Sequence, residues 1–233
     1  LAACAGDSGG DEGTDPVATG EIDTEAILRF TTAGPSRNLD PALQTSYGGW
    51  GYLVLIYDRL TVLDKDDNVQ PSLATEWSFA EDGSYLEMKL RDDVSFHDGT
   101  KFNAEAVKAN IERGKNLGES AVKNDLADIE SVEVVDDYTV RFHLVEGRGV
   151  QLPSTFTTNV GMMVSPAALD DPSVDLANDP GTAGSGPYIV TSYVPTESMT
   201  VERAPSYWDP EVGRLAGIEI ERVPDGSTRL RGV

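Results

Sequence analysis

Cysteine and histidine are scarce in this sequence, and their scarcity limits its chemistry. The 233 residues include one cysteine and two histidines. A single cysteine cannot form an intramolecular disulfide bond. Neither His97 nor His143 has a Cys, Asp or Glu at metal-ligand spacing on a predicted helix, so we predict no metal site and no cofactor. A Ser-His-Asp triad assembles in three dimensions without a linear pattern, but no nucleophile motif is present, and we predict a chain that is not an enzyme.

Positive charge is also scarce. Lys and Arg number 18 against 40 Asp and Glu, which gives a formal net charge of -22. The phosphate backbone of nucleic acid would be repelled by this field, so we predict no nucleic-acid partner. An anionic membrane would be repelled as well, so any attachment must be covalent or through a partner. The acidity has two interpretations: a well-solvated surface, or a field that attracts cationic ligands.

Long apolar runs are missing. No run approaches the roughly 20 residues that cross a bilayer. With 39% hydrophobic and 25% charged residues, the composition suits a soluble globular chain of one or two domains.

The most informative stretch of the sequence runs from Pro71 to Val107. Alternating polar and apolar residues on both sides of Asp82-Gly83 predict a β-hairpin with one apolar face. Val94–Phe96 is predicted as a short third strand, followed by a turn at His97–Thr100. Asn103 stands at the N-cap position of a predicted helix that begins at Ala104.

This stretch contains, in order, P-x-L-A-x-x-W, D-G-x-Y, L-R-x-x-V-x-F-H-D-G-T and F-N-A-E-x-V. The series resembles the signature region of the extracellular solute-binding proteins of the peptide/nickel class, the capture subunits of ABC importers. Gly184–Tyr188 is similar to the family's G-T-G-P-Y, and Tyr207-Trp208 to its Y-W. The resemblance extends from about Ile27 to Leu230.

The resemblance implies an α/β fold of the periplasmic-binding-protein-like type II (cluster C) architecture, with mixed sheets and flanking helices. It assigns residues 26–44 and 183–233 to part of lobe I, and residues 45–182 to an inserted subdomain typical of the peptide-binding class. In this family a second large lobe would be expected after Val233, so we expect the fold to be incomplete without it.

The resemblance also implies a function. A monomeric receptor outside the cytoplasmic membrane captures short peptides, or a similar small solute, by lobe closure and delivers them to the permease subunits of an ABC importer. Three alternatives stay open: a receptor of the same class for a metal chelate or sugar, a truncated lipid-anchored interaction protein that transports nothing, and a secreted hydrolase.

Seven ligand contacts are predicted by matching order in the family. They are Ala33, Gly34, Tyr47, Gly49, Trp50, Thr158 and Asn159. Glycine permits close approach of a ligand to the backbone. For Tyr47 and Trp50, packing in the core is the alternative to lining the cleft.

The N-terminal residues Leu1–Cys4 resemble a lipobox, in which a small-residue site precedes a cysteine that carries lipid. A polar, glycine-rich run follows, and residues 1–25 are interpreted as lipobox and flexible tether. Lipid on Cys4 would anchor the protein to the membrane; a chance cysteine near the end of the sequence is the alternative.

Overall fold

The structure is a computed structural model that describes residues 22–231, with Tyr47 and residues 229–231 described by their backbone alone. The predictions for Cys4 and for most of the tether lie outside the described residues. In residues 22–231, no helix has the length and apolar character needed to cross a membrane.

Strands dominate the described chain, and the helices are short except for one. The strands are β1 Ile27–Thr32, β2 Thr61–Leu63, β3 Val69–Pro71, β4 Ala74–Phe79, β5 Tyr85–Leu90, β6 Ile129–Asp136, β7 Thr139–Leu144, β8 Tyr188–Val194, β9 Ser198–Arg203 and β10 Gly217–Arg222. The helices are α1 Tyr47–Leu53, α2 Ala104–Asn116, α3 Leu152–Thr155, α4 Pro166–Asp170 and α5 Gly226–Arg231, with a 3-10 turn at Asn159–Gly161.

The first sheet has the strand order β1-β10-β9-β8. Strands β8, β9 and β10 are antiparallel neighbours, whereas β1 pairs with β10 in parallel, Ile27 opposite Gly217 and Thr32 opposite Arg222. Ile27–Thr32 forms an edge strand of this sheet, and β8 and β9 form a hairpin. Because β1 and β10 are parallel, the loops that follow them leave from the same edge of the sheet.

The second sheet has the order β4-β5-β7-β6. Strands β4 and β5 form the hairpin predicted around Asp82-Gly83, and β6 and β7 form another. In β5 the apolar side chains Leu86, Met88 and Leu90 are buried and alternate with more exposed neighbours, as the period-two pattern predicts. Helix α2 packs on this sheet. Its N-cap is Asn103, whose side chain accepts a hydrogen bond from the backbone N–H of Ala106 at 2.9 Å.

The prediction of a third strand at Val94–Phe96 is wrong. Only an isolated bridge forms there, between Ser95 and Lys101. The backbone N–H of Phe96 donates to Thr100, and that of Phe102 donates to Val94. These backbone groups of Val94–Phe96 are therefore bonded across the turn at His97–Thr100. They do not pair with a strand of either sheet.

Two apolar clusters form the interior. One lies between the second sheet and α2 and includes Phe102, Phe142 and Phe156. The other lies against the first sheet and includes Leu39, Tyr57 and Val201. This second cluster contains residues from before residue 45, from 45–182 and from after residue 182. The domain boundaries expected from the sequence stay a prediction.

Candidate functional site

Two loops meet at the carboxyl end of β1. We call residues 33–38 and 44–50 the loop pair; they carry five of the seven predicted ligand contacts. Gly34 and Gly48 touch through their backbones, since a Cβ added to Gly48 would lie 3.1 Å from the Cα of Gly34. Such a contact is tighter than side chains normally allow, so both positions favour glycine. Ala33 follows β1 directly, and its carbonyl accepts a hydrogen bond from Nε of Arg222 at 3.3 Å.

Ser46 fixes the start of α1. Its backbone is extended, and its Oγ accepts a hydrogen bond from the backbone N–H of Gly49 at 3.0 Å, as an N-cap does. A serine immediately before a helix is a recognisable sequence signal, and our sequence analysis missed it. The cap fixes the start of α1, the helix that contains positions 47 and 50, and Trp50 is half-buried.

Tyr52 links helix α1 to the first loop of the loop pair. It is 4% exposed, and its hydroxyl donates to the carbonyl oxygen of Gly34 at 3.4 Å. Burial raises the pKa of Tyr52, so it stays a neutral donor at physiological pH. No local pattern distinguishes Tyr52 from the other apolar residues of α1.

Thr158 and Asn159 approach the loop pair from the 3-10 turn. The amide nitrogen of Asn159 donates to the carbonyl oxygens of Pro41 at 2.8 Å and Gln44 at 3.2 Å. Asn159 is 6% exposed. The hydroxyl of Thr158 donates to the carbonyl of Thr155 at 2.8 Å and is half-buried. The structure therefore brings Asn159 against the segment that leads into the second loop. The hydroxyl of Thr158 instead bonds within its own turn.

Gly184–Pro187 crosses tightly over the segment that follows α1, and we call it the tight crossing. A Cβ added to Gly184 would lie 2.1 Å from the carbonyl oxygen of Ile56, and the N–H of Gly186 donates to the same oxygen at 2.8 Å. His97 holds the crossing from the other side: its N–H donates to Gly184, and its Nε2 donates to Gly186, each at 2.8 Å. Burial lowers the pKa of His97, which favours the neutral ring.

Asp58 is a buried carboxylate that the sequence analysis did not single out. It is 7% exposed and accepts hydrogen bonds from the hydroxyl of Tyr207 at 2.7 Å and from Nε1 of Trp208 at 3.1 Å. Burial raises the pKa of Asp58 to about 6, against the opposing effect of these two donors. The Tyr-Trp pair is thereby docked on the segment that follows α1, and the guanidinium of Arg91 lies 4.2 Å from the Trp208 ring centre.

An open concavity of about 1030 Å³ lies along β1, β9 and β10, and Arg222 connects it to the loop pair. Its charged groups are an ion pair between Arg29 and Glu219 together with Glu197, Glu221 and Arg222. Its volume is comparable with that of small-molecule sites. Within residues 22–231, no group of three or more His, Cys, Asp and Glu side chains could hold a metal ion.

Comparisons with known structures identify the class first. The ABC transporter-associated periplasmic binding protein DppA from Helicobacter pylori, in complex with the peptide STSA, has a TM-score of 0.79 at 24% identity, covering 89% of this chain and 44% of that one. NikA from Brucella suis, in complex with Fe(III)-EDTA, has a TM-score of 0.76 at 27% identity, covering 89% and 41%. The fold is therefore that of the type II periplasmic binding proteins, as predicted, and incomplete relative to these structures.

Sequence comparison identifies the family. The family model described as bacterial extracellular solute-binding proteins, family 5 Middle, matches residues 68–233. The glutathione-binding protein GsiB of Escherichia coli O1:K1 / APEC is 31% identical over 216 residues, which cover 91% of this chain and 40% of GsiB. The chain belongs to the family 5 extracellular solute-binding proteins, and it spans less than half the length of this relative.

Proposed function

We propose that this chain forms the first part of a receptor that captures short peptides for an ABC importer, with the loop pair as its contribution to the ligand site. The carrying observation is the contact between Gly34 and Gly48, which brings two stretches of backbone together close in sequence to the half-buried Trp50. Backbone groups bind a peptide main chain with little dependence on its side chains, and an aromatic ring adds apolar contact.

Under this proposal, the seven predicted ligand contacts divide into residues that contact the ligand and residues that support the loop pair. Ala33, Gly34, Tyr47, Gly49 and Trp50 lie on the loop pair. Gly49 is buried against the side chain of Gln44, so we assign direct ligand contact to the other four. Thr158 is a weaker candidate, and Asn159 acts mainly by holding the second loop through Pro41 and Gln44. No catalytic residue and no resident metal or cofactor enter this proposal.

The peptide class has support from one relative. GsiB, at 31% identity, is named as a glutathione-binding protein, and glutathione is a tripeptide. A metal chelate is the second candidate, because NikA at 27% identity holds Fe(III)-EDTA. The acidic composition favours neutral or cationic ligands over strongly anionic ones.

The remaining parts of the proposal follow from the family. Lipid on Cys4 would anchor the receptor outside the cytoplasmic membrane as a monomer, and closure over the ligand would create the state that the permease subunits recognise. Mass spectrometry of the membrane fraction tests the anchor: a lipid-modified Cys4 peptide is expected, and an unmodified thiol would contradict it.

Isothermal titration of the full-length gene product with mixed di- to pentapeptides and with reduced glutathione tests the ligand class. Saturable heat, with a rise in Tm at saturation, is the expected result. Absence of both would remove the peptide proposal and favour the interaction protein that transports nothing. Binding of a nickel or iron chelate alone would assign the receptor to the second ligand class.

A further inference from the structure

One buried side chain, Gln44, connects the two halves of the loop pair. Its Nε2 donates to the carbonyl oxygen of Asn38 at 2.9 Å. Its Oε1 accepts from both the backbone N–H and the hydroxyl of Ser46, each at 3.1 Å. Gln44 is 3% exposed, so water cannot easily replace these bonds if the side chain is removed.

The amide of Gln44 also fills the space beside Gly49. A Cβ added to Gly49 would lie 2.2 Å from Nε2 and 2.3 Å from Cδ of Gln44. Only a glycine therefore lets the first turn of α1 rest on this amide. Gln44 also positions the cap of that turn. The hydroxyl of Ser46 donates to Oε1 of Gln44 while it accepts from the N–H of Gly49.

Two further bonds complete the network. The hydroxyl of Ser46 lies 3.4 Å from the carbonyl oxygen of Pro35 and links the second loop directly to the first. The backbone carbonyl of Gln44 accepts from the buried amide of Asn159. Gln44 is thus bonded to the first loop, the second loop and the 3-10 turn. These three segments carry all seven ligand contacts predicted from the sequence.

We propose that Gln44 is the positioning residue of the ligand site, holding residues 33–38 against residues 44–50 in the arrangement that receives the ligand. The inference rests on the proposed function for its binding consequence, whereas the geometric role of Gln44 stands on the hydrogen bonds alone. A buried amide that is hydrogen-bonded through both its nitrogen and its oxygen rigidifies its surroundings, and its removal leaves its partners unsatisfied.

Hydrogen exchange of the unliganded full-length gene product tests the geometric role. Gln44→Met keeps the size of the side chain and removes its hydrogen bonds. Exchange within residues 33–50 should accelerate by about tenfold or more, while the strands β5 and β7 keep their protection. The matched control is Gln70→Met, because Gln70 also donates to a turn, at 3.0 Å to Asp64; it should leave residues 33–50 unchanged.

Binding tests the functional consequence, with reduced glutathione and a di- to pentapeptide mixture as probes. Gln44→Met should weaken binding by about tenfold, and Gln70→Met by less than about twofold. Ser46→Ala provides a readout that general destabilisation would not give. If Gln44 acts through Ser46, the double variant binds no more weakly than the worse single variant, whereas independent effects would multiply.

The outcomes separate the two proposals. Wild-type binding that survives Gln44→Met unchanged, or exchange that is unaltered in residues 33–50 or equally faster throughout the chain, overturns the positioning role. Local acceleration in a protein that binds neither probe supports that role and removes the proposed ligand class. If Gln44→Met does not fold, Gln44→Glu replaces it: the acceptor for Ser46 is kept and the donor to Asn38 is lost, so exchange should rise mainly in residues 33–38.

Discussion

Asp58 makes the pH dependence of folding a direct test of the structure. The carboxyl group is 7% exposed, and burial raises its pKa from an ordinary value near 4 to about 6. Below pH 4, the folded and unfolded states both bind the proton. Between pH 4 and pH 6 the folded state binds it and the unfolded state loses it, so the contribution of Asp58 to stability falls as pH rises. Above pH 6 the loss is complete.

The magnitude follows from the shift. About two pKa units at about 1.36 kcal/mol each correspond to about 3 kcal/mol. Asp58→Asn cannot titrate, so its free energy of unfolding should rise relative to the wild type by about 3 kcal/mol between pH 4 and pH 7. The lost hydrogen bond to Tyr207 or Trp208 lowers the stability of the variant by a nearly constant amount and leaves this difference intact.

Urea unfolding at several pH values between 4 and 7.5 provides the measurement. Taking the difference between variant and wild type cancels most of the contribution of the other acidic side chains. Asp92→Asn, at an exposed aspartate, controls for the loss of one negative charge. Two parallel stability curves for Asp58→Asn and the wild type would refute the reasoning, and a difference of the opposite sign would mean that the two donors outweigh burial.

Two further pairs of substitutions, each with a matched control, probe the packing and the ion pairs near the site. Gly184→Ala places a Cβ 2.1 Å from the carbonyl oxygen of Ile56 and should lower the free energy of unfolding by about 1–3 kcal/mol. Gly51→Ala is the control, in α1 with open space around the added Cβ, and should raise the free energy of unfolding by about 0.5–1 kcal/mol. Both variants are measured by thermal and urea unfolding. Equal effects of the two substitutions would contradict the tight crossing. Asp40→Ala removes the partner of Arg113, whose Nη2 lies 2.5 Å from Asp40 Oδ2 with side-chain exposures of 24% and 3%. Breaking a buried pair costs about 3–5 kcal/mol, and the partial exposure of Arg113 favours the lower end. Asp93→Ala breaks the more exposed pair with Arg91, 53% exposed at Asp93, and should cost less than about 1 kcal/mol; similar losses in urea unfolding would show that burial does not distinguish the pairs.

Hairpins and helix ends that depend on neighbouring residues were predictable from the sequence. The hairpins of the second sheet follow from alternation around turn residues, and Asn103 caps α2 as its position indicates. Val94–Phe96 was mispredicted because its pattern suits a strand, whereas the following turn satisfies its backbone groups locally. Alternation reports which face is apolar and does not report whether a partner strand is available.

The candidate site was predictable as a set of segments, and the side chains that join those segments were not. Family resemblance indicated Gly34 and Trp50. The side-chain bonds of Gln44 to Asn38 and Ser46 depend on how the chain between residues 38 and 46 folds back, and Asp58 acquires its role through partners distant in sequence. Asp58 meets Tyr207 149 residues further on. Contacts of this kind have no local pattern, so sequence periodicity cannot predict them.

The central claim is that the loop pair binds a short peptide, and titration of Trp50→Ala tests it most directly. The wild-type full-length gene product and the variant are titrated with the di- to pentapeptide mixture and with reduced glutathione, alongside Phe79→Ala as an exposed aromatic control on β4. We predict saturable binding by the wild type and by Phe79→Ala, and affinity at least about tenfold weaker in Trp50→Ala with Tm almost unchanged. Undiminished binding by Trp50→Ala, or a large loss of its thermal stability, would contradict the account and place Trp50 in the core.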